Sequence, residues 1–227
     1  MTRHTLDGGT DTAQIGLFDI DALGAAAPSS QEVVTLQAQR RLVSIDTGAD
    51  GAYRASLYVD ERPPEALLQY CTRERTVTGT LSLPQGRLGF GGLETAFATF
   101  RPNKNIRADV RIESGDYDVT WYDPDYPESM TDMWECLTDE ELRIIRAPVP
   151  FRIAAWACVV AVVVAAIFLH LPWLWLIALG LVIADVIGMR LYRSRPRGVA
   201  IRKRLEEGQE RLNRDYPGYI VELRKRA

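Results

Sequence analysis

Residues 76–83 alternate strictly, with Val77, Gly79, Leu81 and Leu83 on one face and Thr76, Thr78, Thr80 and Ser82 on the other, which is the period of a half-buried strand. Before it, a polar opening containing His4 reads as unstructured. Ile15 and Leu17 opposite Phe18 predict a first strand over 13–19, and 33–36, 41–45 and 53–59 are further short apolar runs. Pro63 and Pro64 stop the last of these. Leu88 and Phe90 begin another strand, and 108–112 and 117–122, separated by Glu113-Ser114-Gly115-Asp116, read as a hairpin. Short strands separated by turn residues predict an all-β fold, a sandwich or barrel, over residues 1–126.

The period then changes. Met130, Met133, Trp134, Leu137, Leu142 and Ile145 have helical spacing and Asp139-Glu140-Glu141 suits a helix start, so 127–151 is expected to be a helical linker. Residues 153–184 form a run of thirty-two residues with no charge, interrupted by Pro172. One helix of that length would extend about 48 Å at 1.5 Å per residue, against a hydrocarbon core of roughly 30 Å. The expectation is therefore a two-helix transmembrane hairpin over 152–192, turning at Pro172, with Trp173 and Trp175 at the far interface. Basic residues flank it on both sides, Arg143, Arg146 and Arg152 before and Arg190 to Arg204 after. That pattern places both termini in the cytoplasm of a bacterial inner-membrane protein. Residues 193–227 complete the scheme as a basic cytoplasmic tail with a short amphipathic helix, its stripe made by Ile201, Leu205 and Leu212.

Charge sharpens this division. The net charge of -3 conceals 14 Lys+Arg against 24 Asp+Glu in residues 1–150, and 13 against 6 in residues 151–227. An acidic front domain excludes nucleic acid as its expected ligand. The basic tail suits either an anionic bilayer or the acidic domain itself. No apolar core of signal-peptide length opens the chain, and Cys71, Cys136 and Cys158 lack paired spacing, so free thiols are expected.

Catalytic chemistry finds little support in the residues. With two histidines, His4 and His170, no Ser-His-Asp, Cys-His or His/Cys zinc arrangement can be assembled, and no cofactor or metal is expected. Gly89-Phe90-Gly91-Gly92 lacks the lysine of a phosphate loop and reads as strand or tight turn. The acidic series Asp116, Asp118, Asp123, Asp125, Glu128 and Asp132 lacks the calcium-loop pattern, which leaves a solvated strand face or a protein-binding surface. Asp185, the one ionisable residue inside the apolar region, reads as a hairpin-fixing ion pair near Arg152 and Arg190 in preference to a transport residue.

Thr10-Asp11-Thr12-Ala13 followed by Gly16-Leu17-Phe18-Asp19-Ile20-Asp21-Ala22-Leu23 is similar to the opening of a bacterial family of small β-rich proteins. Gly115-Asp116-Tyr117-Asp118-Val119 resembles the Gly-x-Tyr-x-Val hairpins of β-sandwich immunity and nuclease-inhibitor-like proteins. The membrane hairpin is not part of that pattern; the acidic face, the absence of catalytic groups and the resemblance together give the expectation of a non-enzymatic, membrane-anchored protein-binding module, an immunity factor whose acidic face captures a basic toxin. A scaffold subunit of an envelope complex that oligomerises through the hairpin is the alternative reading. A carboxylate-dependent enzyme ranks last.

Overall fold

A computed structural model describes residues 2–103, 105–132, 136–169, 173–193 and 196–226. They divide into two units, one made of residues 1–131 with 212–227 and the other of 132–211.

The first unit is built on nine strands: β1 (Thr2–Thr10), β2 (Gln14–Asp19), β3 (Leu42–Asp46), β4 (Gly51–Val59), β5 (Cys71–Leu83), β6 (Arg87–Gly92), β7 (Arg107–Arg111), β8 (Gly115–Pro124) and β9 (Tyr219–Lys225). They form a five-stranded sheet in the order β1-β4-β9-β8-β5 and a four-stranded sheet in the order β3-β2-β6-β7. Period-two alternation packs the two sheets face to face. Leu57, Leu81, Leu83, Tyr117, Val119, Trp121, Val221 and Leu223 from the larger sheet meet Ile15, Leu17, Val43, Leu88 and Phe90 from the smaller, all buried.

Two helices cover parts of the outer faces. Helix α1 (Ser30–Ala38) starts in a capping box in which the Ser29 hydroxyl accepts from the Glu32 N–H, and the Glu32 carboxylate accepts from Ser29. Its Val33 and Leu36 pack on Phe18 and Leu42 of the smaller sheet. Helix α2 (Glu65–Leu68) sets Leu67 against Tyr58 and Ile220 of the larger sheet.

The second unit is helical. Its first full helix is α4 (Asp139–Arg146), capped by Thr138 and Glu141, after the short α3 (Glu128–Thr131) that closes the first unit. Next come α5 (Pro148–Leu169), α6 (Trp173–Arg193) and α7 (Pro196–Asp215). Pro196 occupies the first position of α7, where its missing N–H costs nothing, so it starts a helix instead of breaking one.

The all-β expectation is corrected: the fold is mixed, with two sheets and seven α-helices among the described residues. The transmembrane expectation is corrected as well. Among the described residues no helix is long and apolar enough to cross a membrane, so the two-span inner-membrane hairpin and the localisation built on it are withdrawn. The reason is where the uncharged run divides. Residues 153–169 follow Arg152 on α5 and residues 173–184 precede Asp185 on α6, so neither helix carries the roughly 20 uncharged residues that a span uses.

The 108–112/117–122 hairpin is also corrected. β7 pairs with β6 in the smaller sheet, whereas β8 pairs with β5 and β9 in the larger, so residues 112–114 cross between sheets. The polar opening is no loose end: β1 pairs with β4 along its whole length, from Thr2 opposite Val59 to Thr10 opposite Gly51.

Strand β9 lies outside the stretch that the sequence pattern marked as β. It runs parallel to β4 and antiparallel to β8, with Tyr122 paired opposite Ile220. The whole helical unit is thus inserted between two strands that are hydrogen-bonded neighbours. Five consecutive residues of β9, Tyr219 to Leu223, are buried, at about 1.5–3 kcal/mol for each large apolar side chain. That total rivals the 5–15 kcal/mol by which a whole domain is stable, at the order-of-magnitude level. Residues 1–131 expressed alone should fail to give a cooperative urea transition. Deleting 132–211 and joining the ends with a short Gly/Ser linker should preserve one, as followed by circular dichroism.

Candidate functional site at the acidic end of the sandwich

Strand directions sort the carboxylates into two groups. β1, β3 and β8 finish, and β4 and β9 begin, at one end of the sandwich, which gathers the turns 11–13 and 47–50 and the segments 93–106 and 124–127. This end carries Asp11, Asp46, Asp50, Glu94, Asp123 and Asp125, with Arg73 and Arg75 at the start of β5 and Arg101 in the 93–106 segment. The other end carries the 84–86 and 112–114 turns and both signs of charge, Asp19, Asp21, Asp60, Glu113 and Asp116 beside Arg41, Arg87, Lys225 and Arg226.

The predicted acidic series is therefore not one patch. Asp116 and Asp118 lie at the start of β8 and Asp123 at its end, and Asp125 lies about 30 Å along the extended chain from Asp116. At the start of β8, Arg226 donates to Asp118 at 2.8 Å, Lys225 pairs with Glu113, and Arg224 holds buried Glu222 at 2.5 Å. The basic tail thus neutralises the acidic strand beside it. With residues 212–227 included, the first unit holds 16 Lys+Arg against 21 Asp+Glu. At the far end of β8, Arg75 of β5 bridges Asp123 at 2.8 Å and Asp125 at 3.1 Å, and these carboxylates hold its guanidinium above its ordinary value. Glu128 is exposed on α3, and Asp132 is exposed in the helical unit.

Asp11, Asp46, Asp50 and Glu94 form no ion pair among the described residues. Three of them act as turn acceptors, while Asp11 contributes its N–H as a donor: Asp46 takes the Gly48 N–H at 2.8 Å and Asp50 the Ala13 N–H at 3.0 Å. Glu94 takes the Asp11 N–H at 2.9 Å and the Thr12 hydroxyl at 3.0 Å, with the Thr10 hydroxyl at 3.3 Å. Beside it opens a cleft of about 220 Å³ between the end of β1, the start of β4 and the 93–106 segment. The floor requires glycine, because a Cβ at Gly9 would stand 2.4 Å from the Asn105 carbonyl oxygen.

The segment that carries Glu94 is held by Arg107. This fully buried guanidinium lies over the Phe18 and Phe100 rings, donates to the Thr95 and Phe97 carbonyls at 2.9 Å each, and pairs with Asp109 at 2.7 Å. Nothing in the local sequence marks Arg107 or Glu94. Apart from Asp109, two residues from Arg107, their partners come from β1, the turn after it, β2 and the 95–100 segment, and no periodic pattern records such contacts.

A tyrosine cluster adjoins the same end on the outer face of the larger sheet. Tyr126 stacks edge-on against Tyr70 at 5.3 Å and Tyr216 at 5.4 Å, and Arg3 lies over Tyr58. The Tyr58 and Tyr126 hydroxyls are buried without a hydrogen-bond partner among the described residues, and burial holds both above the ordinary phenol value. The Tyr122 hydroxyl donates to Glu222 at 3.1 Å. Cys71, a free thiol in this cluster, is also raised, first by burial and then by Asp123, which keeps it protonated.

Asp185, placed by the sequence reading in the apolar region, lies on α6 with its carboxylate 3.7 Å from Arg152 of α5. Trp173 and Trp175 stand exposed in the first turn of α6, and Pro172 lies outside the described residues. No group of three or more His, Cys, Asp or Glu is disposed to hold a metal ion among the described residues.

The site defines a two-sheet sandwich with a helical insertion and an acidic end. No protein-family model matches the chain, and no curated protein matches it. Two solved structures are similar in part. The product of crocagin biosynthetic gene J aligns at a TM-score of 0.39 and 15% identity, over 54% of this chain and 78% of its own. ComJ from Bacillus subtilis, an inhibitor of the DNA-degrading activity of NucA, aligns at 0.35 and 11%, over 54% and 80%. Both scores fall below the level that establishes a shared fold.

The tyrosine cluster separates two kinds of hydroxyl. Tyr58→Phe and Tyr126→Phe remove buried donors that have no partner and should leave stability unchanged or raise it by about 1 kcal/mol. Tyr122→Phe breaks a bond to a buried carboxylate and should cost about 1–2 kcal/mol. Urea denaturation of the three variants checks both signs.

Proposed function

We propose that this chain is a non-enzymatic protein-binding module whose acidic sandwich end recognises a basic partner, in the manner of an immunity protein that neutralises a toxin. The observation that supports the reading most directly is the grouping of Asp11, Asp46, Asp50 and Glu94 beside Asp123 and Asp125, with Arg75 bridging only the last two. A surface on which carboxylates predominate speeds capture of a basic protein and disfavours acidic ones. Carboxylates already held by turn N–H groups lose little freedom when a cation arrives, which favours affinity.

Co-expression with each basic toxin encoded beside its gene tests the reading. Growth should be rescued against one of them, and Asp123→Lys/Asp125→Lys should slow association with that toxin roughly tenfold or more at low salt. Absence of binding and of rescue against every such toxin, with the chain folded, overturns it.

A second reading, a scaffold subunit that self-associates through its helices, is favoured by one observation. Val160, Val164, Phe168, Leu176, Leu179 and Val186 stand exposed on α5 and α6, and a Cβ at Gly180 or Gly188 would meet no atom within 4 Å. Apolar surface of that extent marks a contact face. If this reading holds, analytical ultracentrifugation of the full chain should show dimers or higher species that Gly180→Leu/Gly188→Leu abolishes. A monomer under all conditions removes it.

A further inference from the structure

The cleft beside Glu94 has a chemistry of its own. Asp7, Asp19, Asp123 and Glu222, all buried or half-buried in the sandwich, each hold an arginine, at 2.5, 2.6, 2.8 and 2.5 Å. Half-buried Glu94 has no such partner among the described residues. Its oxygens are fixed by one N–H and two hydroxyls, which orient the carboxylate without cancelling its charge. Each carboxylate oxygen offers about two lone pairs, so capacity for a further donor remains.

The rest of the cleft complements that group. Asp11 adds a second carboxylate at the rim, while Gly9, Gly51, Ala52 and Ile106 supply methylene and methyl surface below it. An apolar floor under an anionic mouth suits a ligand with an alkyl stem and a cationic head, since such stems bury while their heads stay polar. It does not suit an anion, which would meet two carboxylates. The position of Glu94 is fixed on both sides, by the β1–β2 turn it caps and by Arg107, which donates to the Thr95 carbonyl one residue on.

We propose that this cleft is a receptor for an alkyl-guanidinium or alkyl-ammonium group, the chemistry shared by an arginine or lysine side chain of a protein partner and by a free diamine-like molecule. The first source deepens the protein-binding reading and rests on it; the second stands without it. A cationic side chain seated in a fixed, partly desolvated pocket is the kind of contact that dominates interface energetics.

The experiment is an amide-resonance NMR titration of the full chain with agmatine, with the capped peptide Ac-Gly-Arg-Gly-NH2, and with butylurea as a neutral control. Agmatine and the peptide should bind saturably in the millimolar range, shifting the Gly9, Gly51 and Asn105 resonances, with butylurea at least tenfold weaker. Glu94→Gln retains acceptor and donor atoms for the Thr10, Asp11 and Thr12 bonds and should weaken both cations about tenfold. Asp11→Asn, at the exposed rim, tests the charge without touching those bonds and should weaken them less. Stronger binding of agmatine identifies a free cation as the ligand, and stronger binding of the peptide identifies a side chain. Equal binding of butylurea, indifference to Glu94→Gln in a folded variant, or no shift at all overturns the proposal. Cation binding without toxin rescue would sink the protein-binding reading alone, and toxin rescue without cation binding would sink the cleft alone.

Discussion

Everything in the sandwich depends on β9 taking its place between β4 and β8. A sheet with its central position empty has two unpaired inner edges and an open core, and both edges would present rows of unsatisfied N–H and C=O groups. The strand that fills the position is reached only after the chain has passed through the whole helical unit. Closing a loop that long is not prohibitive, because the entropic cost grows only with the logarithm of loop length. Pairing Tyr122 opposite Ile220 brings the two ends of the insertion together. The insertion can therefore vary without disturbing the pairing that surrounds it.

The same strand settles the electrostatics. A reading by sequence blocks sets an acidic front half against a basic tail, as if each needed an outside partner. Once β9 is in the sheet, Arg226 reaches Asp118 and Lys225 reaches Glu113, so much of the contrast is satisfied within one sheet. At the opposite end Asp46, Asp50 and Glu94 form no ion pair among the described residues and are held by backbone N–H groups of the turns. Exposed ion pairs of this kind contribute little stability. Their consequence is to decide which surface is left with a net field.

Legibility followed the density of apolar alternation. β5 was readable because Gly79, Leu81 and Leu83 face the core at every second residue, and β2, β4, β6 and β8 share that signature. β1 was not, because Leu6 is its one large core side chain and its order comes from pairing with β4. β9 was hidden differently: Tyr219-Ile220-Val221 is buried on both faces, so it lacks alternation and reads as a short run of either kind. Ser29 and Glu32 did carry the signal for α1, three residues apart in a capping box, and Thr138 and Glu141 repeat it for α4. In the apolar region length alone misled, since a run of thirty-two uncharged residues says nothing about where helices begin and end.

The candidate site was still less legible, and for a topological reason. Glu94 sits between Leu93 and Thr95 with no other acid nearby, and Asp11 looks like a turn residue, which it also is. Only the crossing of β1 over the end of β6 brings them together, and the carbonyl of Asn105, in the left-handed region at φ 64°, closes the floor beneath Gly9. A left-handed non-glycine residue persists where its surroundings over-determine it. Here they do so through the N–H of Gly9, which donates to the Ile106 carbonyl at 2.9 Å, and through Arg107, buried in the next strand. Backbone pairing and one buried arginine thus fix a carboxylate that has no cation of its own among the described residues, so its charge is available to whatever the cleft admits.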